Sequence, residues 1–253
     1  MARRSSRRPF RARLPFAPKP DPLFRWRGTG VSRLEGFADA VFAFTITLLV
    51  VALEVPRDFD DLLKVFQGFP AFAATFAILV WFWSVHYLFF RRYGLEDTWT
   101  RILNNLVLLL VVFLAYPLKF LFSTAFATVL GFGEGMTGVD SIERTSQIYL
   151  IYGAGLGAVW LVYFLMYLHA WRQRRVLQLT PAEEILTRGS LWVPLLNMLI
   201  CLLSVGLALF ERFTWQPGVV YGLCGPAMAI NGWWYGTKAA RIAKQTSSAA
   251  YIA

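Results

Sequence analysis

Six stretches of this chain are long and apolar enough to cross a bilayer, and that property restricts the fold more than any motif does. Inside hydrocarbon every backbone N–H and C=O needs an internal partner, so such stretches are helical. A spanning helix takes about 20 mostly apolar residues, and runs of that kind lie at 36–55, 69–90, 104–122, 148–171, 189–210 and 214–237. The expected fold class is all-α: a polytopic membrane protein with six transmembrane helices. Composition agrees, with 57% hydrophobic and only 16% charged residues, where soluble domains carry about 25% charge. The abundance of Trp, Tyr and Phe suits rings placed at the lipid interface.

Charge sets the orientation. An even number of spans puts both termini on one side, and the side rich in Lys and Arg is cytoplasmic. Ten basic residues precede Phe37, and Arg91, Arg92, Arg101, Arg172, Arg174, Arg175, Arg188, Lys238, Arg241 and Lys244 follow on the same side. The other side holds Arg57, Lys64, Lys119, Arg144 and Arg212. Both termini are therefore expected in the cytoplasm of a multi-pass cell-membrane protein. Trp233, Trp234 and Tyr235 form an aromatic belt just before Lys238.

Three regions follow. Residues 1–32 read as a basic arm without regular structure, drawn to anionic headgroups. Residues 33–238 form the transmembrane domain, and 239–253 a short cytoplasmic tail. The net charge of +10 is concentrated in the arm and does not imply nucleic acid, for which no motif is present. Cys201 and Cys224 sit in apolar runs and read as small buried hydrophobes. Gly133 to Gly138 match GxGxxG but follow a membrane helix with no preceding strand. The stretch 218–222 (GVVYG) resembles a potassium filter, yet it belongs to the only run available for the last span. No constellation of catalytic groups, metal ligands or cofactor contacts is found, so an enzyme is not expected. His169 reads as an interface anchor.

The first span departs from the others. Its uncharged part, residues 40–53, is bracketed by Asp39 and Glu54 and is short for a helix bathed in lipid. An ionisable group at that depth is expensive unless paired. Arg33 lies nearly two turns before Asp39. His86, near the cytoplasmic end of the antiparallel second span, falls at similar depth, and Asn104 and Asn105 open the third span at the same face. These residues form one polar cluster on the sequence reading. It either ties three helices together or takes part in ion permeation or proton sensing.

The first span, from Arg33 through Phe37-Ala38-Asp39 to Phe44, Thr47 and Val51, resembles the RxxxFSD signature that opens the first helix of the TMEM175 family of potassium-permeable channels. Phe69-Pro70, Trp83-x-x-His86, Asn105-Leu106 and Tyr116-Pro117 extend the resemblance across residues 33–121. It implies a potassium-permeable cation channel. Six-helix subunits would form a homotetramer whose first helices line a central pore, with no re-entrant filter. Phe44, Thr47 and Val51 would face that pore, their spacing placing them on one stripe. Arg33, Asp39, Trp83, His86 and Asn105 would hold the helix in place. No cofactor is implied beyond permeant K⁺.

Two departures stand out. Ala38 replaces the serine of the signature and removes a hydroxyl. Phe44 stands where the family has Ile or Leu at the narrowest layer, and hydrophobic constrictions gate by dewetting. A proton-coupled secondary transporter is the alternative, expecting broken helices and an internal repeat. A non-conducting membrane protein that binds a partner through the arm is another.

Overall fold

The computed structural model describes residues 22–28, 30–51, 55–130, 142–210 and 216–252. Every regular element among them is helical: α1 (Arg33–Val51), α2 (Phe59–Gln67), α3 (Phe69–Tyr93), α4 (Thr98–Leu130), α5 (Ile142–Arg172), α6 (Pro181–Ala208), α7 (Gln216–Val219), a 3₁₀ turn (Val220–Leu223) and α8 (Cys224–Ile252). Among the described residues, α1, α3, α4, α5 and α6 are long and apolar enough to cross a membrane. These coincide with the first five expected spans.

The sixth differs from expectation. Residues 214 and 215 lie outside the described residues, and the rest of 214–237 is not one helix but α7, the 3₁₀ turn and the first half of α8. Pro226 explains the break, because it has no N–H to give the carbonyl of Gly222. The Cys224 N–H instead bonds Tyr221 O in the tighter i→i+3 pattern. Ser204 Oγ donates to Pro217 O at 2.8 Å and Asn231 Nδ2 to Gly189 O at 3.0 Å, holding this broken segment to α6. Beyond the belt, α8 stays helical through the tail to Ile252.

A second difference is α2, absent from the expected elements. Asp58 caps it, accepting from the Asp61 N–H at 2.8 Å. Phe59, Leu62, Leu63 and Phe66 line one exposed face at helical spacing, while Asp60, Asp61 and Lys64 lie on the other.

Helix ends are set by local chemistry. Ser32 and Glu35 cap α1 reciprocally, Ser32 Oγ accepting from Glu35 N–H at 3.1 Å and Glu35 Oε2 from Ser32 N–H at 3.4 Å. Thr180 and Glu183 do the same for α6, with Pro181 in the first turn. Arg91 and Arg92 occupy the last turn of α3, where cations suit the helix dipole. Gly94 ends that helix in the left-handed region (φ 58°).

The interior is aromatic and lies between α3, α4 and α5. Trp160 packs on Trp81 at 4.9 Å and Phe82 at 5.4 Å. Buried Tyr163 donates its hydroxyl to Phe82 O at 2.8 Å. Between helices in lipid such packing and hydrogen bonding, not exclusion of water, provide the attraction. Within this bundle α1 lies to one side, packed on α3 and α4.

The segment before α1 is not free chain as far as residue 32. Residues 22–28 are laid along the end of the bundle where α1 begins and α3 ends: Phe24 is buried edge-on against Tyr93 and lies under the Arg92 guanidinium. Arg27 and Gly28 N–H groups both reach Arg91 O, at 3.1 and 3.2 Å. The approach depends on glycine. A Cβ on Gly28 would fall 2.6 Å from Phe90 O, and one on Gly94 3.1 Å from the backbone of Arg27 and Gly28. The remaining arm, residues 1–21, lies outside the described residues.

Candidate pore helix and its polar collar

Two opposite stripes run down α1. Glu35, Ala38, Phe42, Thr45 and Leu49 are buried against the bundle. On the other side Phe37, Phe44, Thr47 and Val51 are exposed, Phe44 at 61% and Val51 at 70%. The alternating three- and four-residue steps follow from 3.6 residues per turn. The three residues expected to share a face therefore do share one, and among the described residues nothing covers it. Thr47 donates its hydroxyl proton to Ala43 O at 2.9 Å, which leaves the oxygen lone pairs as its outward chemistry. That is the polarity a cation needs.

Near the N-terminal end of α1 the expected polar cluster is present but divided. Trp83 Nε1 donates to Asp39 Oδ1 at 2.8 Å. His86, fully buried, meets Asn104 Oδ1 through Nε2 at 2.7 Å, and Asn104 Nδ2 donates to Asn105 Oδ1 at 3.4 Å. This chain of bonds assigns the imidazole proton to Nε2. Nδ1 is then a buried acceptor with no hydrogen-bond partner among the described residues. Phe42 and Phe90 enclose the ring. Asn104, not Asn105, is the residue that reaches the histidine.

Arg33 is the residue the protomer does not bring in. Its side chain is exposed on α1, with no hydrogen bond or ion pair to the described residues. The guanidinium that serves the start of α1 comes from Arg91 of α3. Its Nη2 lies 2.9 Å from Oε1 of buried Glu35, and its Nη1 donates to Gly28 O and Gly30 O at 3.1 and 3.3 Å. The reason is rotation about the helix axis: Glu35 shares the inward stripe with Ala38 and Phe42, and Arg33 does not.

A second ion pair fastens the preceding segment. Arg27 Nη2 lies 2.9 Å from Glu183 Oε2, with the carboxylate almost wholly buried. Glu183 also accepts from the N–H of Arg25 and of Thr180, each at 2.8 Å. Arg27 Nε donates to Leu177 O at 2.9 Å. One glutamate thus caps α6 and anchors the chain that leads into α1. Sequence reading missed both pairs, although the T-P-x-E capping pattern at 180–183 was a usable signal for Glu183. Nothing comparable marked Arg91.

Outside the spans, Asp97 joins α4 to α5. It accepts from Thr100 N–H and Thr100 Oγ1, each at 3.1 Å, and lies 2.8 Å from His169 Nε2. Burial pushes its carboxyl up, but the His169 and Thr100 hydrogen bonds outweigh that and hold it below its ordinary range.

These features define a polytopic helical membrane protein whose first helix bares an apolar stripe and is pinned at one end by a polar collar. A protein named "Potassium channel" from Marivirga tractuosa is 34% identical over 223 residues, covering 84% of this chain and 90% of that one. The chain belongs to the TMEM175 potassium-channel family. Residues 33–115 match the family described as endosomal/lysosomal potassium channel TMEM175. A crystal structure of the potassium channel MtTMEM175, as a T38A variant bound to a nanobody fusion, is 33% identical. It covers 86% of this chain and 98% of its own, with a TM-score of 0.75. A TMEM175 homologue from Chamaesiphon minutus shares the fold at a TM-score of 0.51 and 21% identity, over 82% and 96% of the two chains.

Proposed function

We propose that this chain is one subunit of a potassium-permeable cation channel, a homotetramer whose central pathway is lined by α1. The exposed stripe of Phe37, Phe44, Thr47 and Val51, set opposite the buried stripe of the same helix, carries this reading. Family membership supports it, as does the potassium-channel identity of the Marivirga tractuosa relative. Phe44 is the hydrophobic constriction and Thr47 the polar layer beside it, substituting for part of an ion's hydration shell. No re-entrant filter is used, and the collar of Asp39, Trp83, His86, Asn104 and Asn105 fixes the rotation of α1 about its axis. Arg33, exposed on the protomer, meets a neighbouring subunit. Six crossings, the last through the broken segment ending in α8, place both termini in the cytoplasm.

Reconstitution into liposomes loaded with K⁺ tests the reading, with flux followed by a voltage-coupled dye. Wild-type vesicles are expected to pass K⁺. Phe44→Ala should raise flux several-fold, and Thr47→Ala should change the K⁺/Na⁺ ratio. Wild-type vesicles no leakier than empty ones, with both variants silent, would overturn it. Flux that requires an opposing proton gradient would favour a coupled transporter instead.

A further inference from the structure

The arginines at this end of the bundle differ in what they face. Arg27 and Arg91 each face a buried carboxylate, Glu183 and Glu35. Those of the α5–α6 hairpin do not. The guanidiniums of Arg174 and Arg188 both sit 4.8 Å from the centre of the Trp171 ring. Among the described residues neither they nor the neighbouring Arg172 and Arg175 have a carboxylate within ion-pair distance. Glu184, one turn before Arg188 on α6, makes no ion pair with it, and Asp97 is engaged by His169 and Thr100. Arg188 is exposed and Arg174 half-buried, and Arg174 spends one Nη1 N–H on Trp171 O at 3.1 Å, leaving its other donors for a ligand.

The position of this group matters as much as its charge. Arg172 is the last residue of the α5 span, so Trp171 lies where an indole sits between acyl chains and headgroups. Arg188 belongs to α6 two turns beyond Pro181, and meets Trp171 because the hairpin projects past the end of α5. The indole holds two guanidiniums at fixed positions by cation–π contact. This lowers the entropy lost when they grip an anion. Arginine forks match phosphate oxygens in bidentate geometry. Val176, 78% exposed at the hairpin tip beside Arg175, adds an apolar residue.

We infer that Trp171, Arg174 and Arg188 form a binding site for the phosphate of an anionic phospholipid in the cytoplasmic leaflet. The site is separate from the basic arm and independent of whether the protein conducts ions. The phosphodiester is gripped by the two forks, Arg172 and Arg175 add long-range attraction, and the acyl chains lie along α5 and α6. Phosphatidylglycerol meets these requirements and phosphatidylcholine, whose headgroup is neutral overall, does not.

The test uses the full chain purified in a neutral detergent, with melting followed as phosphatidylglycerol, phosphatidylcholine or inorganic phosphate is titrated in. Phosphatidylglycerol should raise the melting temperature saturably, with phosphatidylcholine and inorganic phosphate giving little. The exposed Arg188→Gln change should weaken the apparent affinity about tenfold, and Arg174→Gln with Arg188→Gln should abolish saturation. Arg188→Lys, which keeps the charge but loses the fork, should fall between. Replacing the seven basic residues from Arg3 to Lys19 by Gln should leave the response in place. An equal response to inorganic phosphate would overturn the assignment to lipid. So would a double variant that still saturates, or a response lost only with the arm's charges. If the double variant does not fold, the Arg188→Gln and Arg188→Lys pair decides, and equal affinities for both and for wild type would sink the site.

Discussion

The indole N–H of Trp83 donates to Asp39 Oδ1 across 2.8 Å, joining the second membrane helix to the first at the level of the collar. A hydrogen bond to a charged acceptor is worth about 1.5–3 kcal/mol. Trp83→Phe keeps most of the ring and deletes the donor. Purified protein carrying it should melt roughly 4–8 °C lower, and Asp39→Asn, which retains an acceptor, should be milder than Asp39→Ala. An unchanged melting temperature in Trp83→Phe would show that the bond contributes nothing.

The Arg27–Glu183 pair offers a sharper contrast. Arg27→Met leaves a buried carboxylate without its cation, a change that costs about 3–5 kcal/mol. Adding Glu183→Gln to the same chain removes the stranded charge and should recover part of the loss. A double-mutant cycle in thermal or denaturant unfolding reads the coupling, and strictly additive effects would exclude it.

Gly28 is where the segment crosses α3 most closely. Its missing side chain would meet a backbone oxygen, Phe90 O, at 2.6 Å, and backbone cannot swing aside. Gly28→Ala should therefore lift residues 22–28 from the bundle and expose Arg25 and Arg27 to trypsin. Cleavage there should be several times faster than in wild type. Gly30→Ala, with open space around the added carbon, serves as the control.

The Asp97–His169 contact predicts a pH dependence. Because the folded carboxyl is held below its ordinary value of 3.8, its stabilisation is fully present above that value. It disappears as pH falls through the lower folded one. His169→Ala removes one of the bonds responsible and brings the folded value back toward 3.8, so the acid loss should be smaller and complete at a higher pH. Melting temperature measured from pH 7 to 3 checks this. Asp97→Asn should flatten the acid slope, and identical slopes in all three proteins would rule the contact out.

Much of the architecture was legible because span length is a coarse and physically strict signal. Phe44, Thr47 and Val51 share an exposed face, as their spacing requires. The last span was read as continuous because hydropathy does not register that Pro226 strands the Gly222 carbonyl. Helix α2 was overlooked because nine residues are far too short to span. Yet Phe59, Leu62, Leu63 and Phe66 behind an aspartate cap carried its pattern. In the collar, depth alone put His86 and Asn104 at the level of Asp39, whereas Trp83 came in only through the resemblance to the family signature. The Arg91–Glu35 pair went unread because it depends on how two helices are rotated, and spacing along one helix cannot report that.

The anchoring of residues 22–28 has a mechanical consequence. A pull on the charged arm reaches Phe24 and the Arg27–Glu183 pair before it reaches α1, and that pair is fixed to α6. The arrangement works like the clamp on an electrical cable: load on the outer end stops at the housing, and the wire beyond stays slack. Whatever the arm adheres to, the first helix keeps its own register, set by Ser32, Glu35 and Arg91 at its start and by the Trp83–Asp39 bond further along.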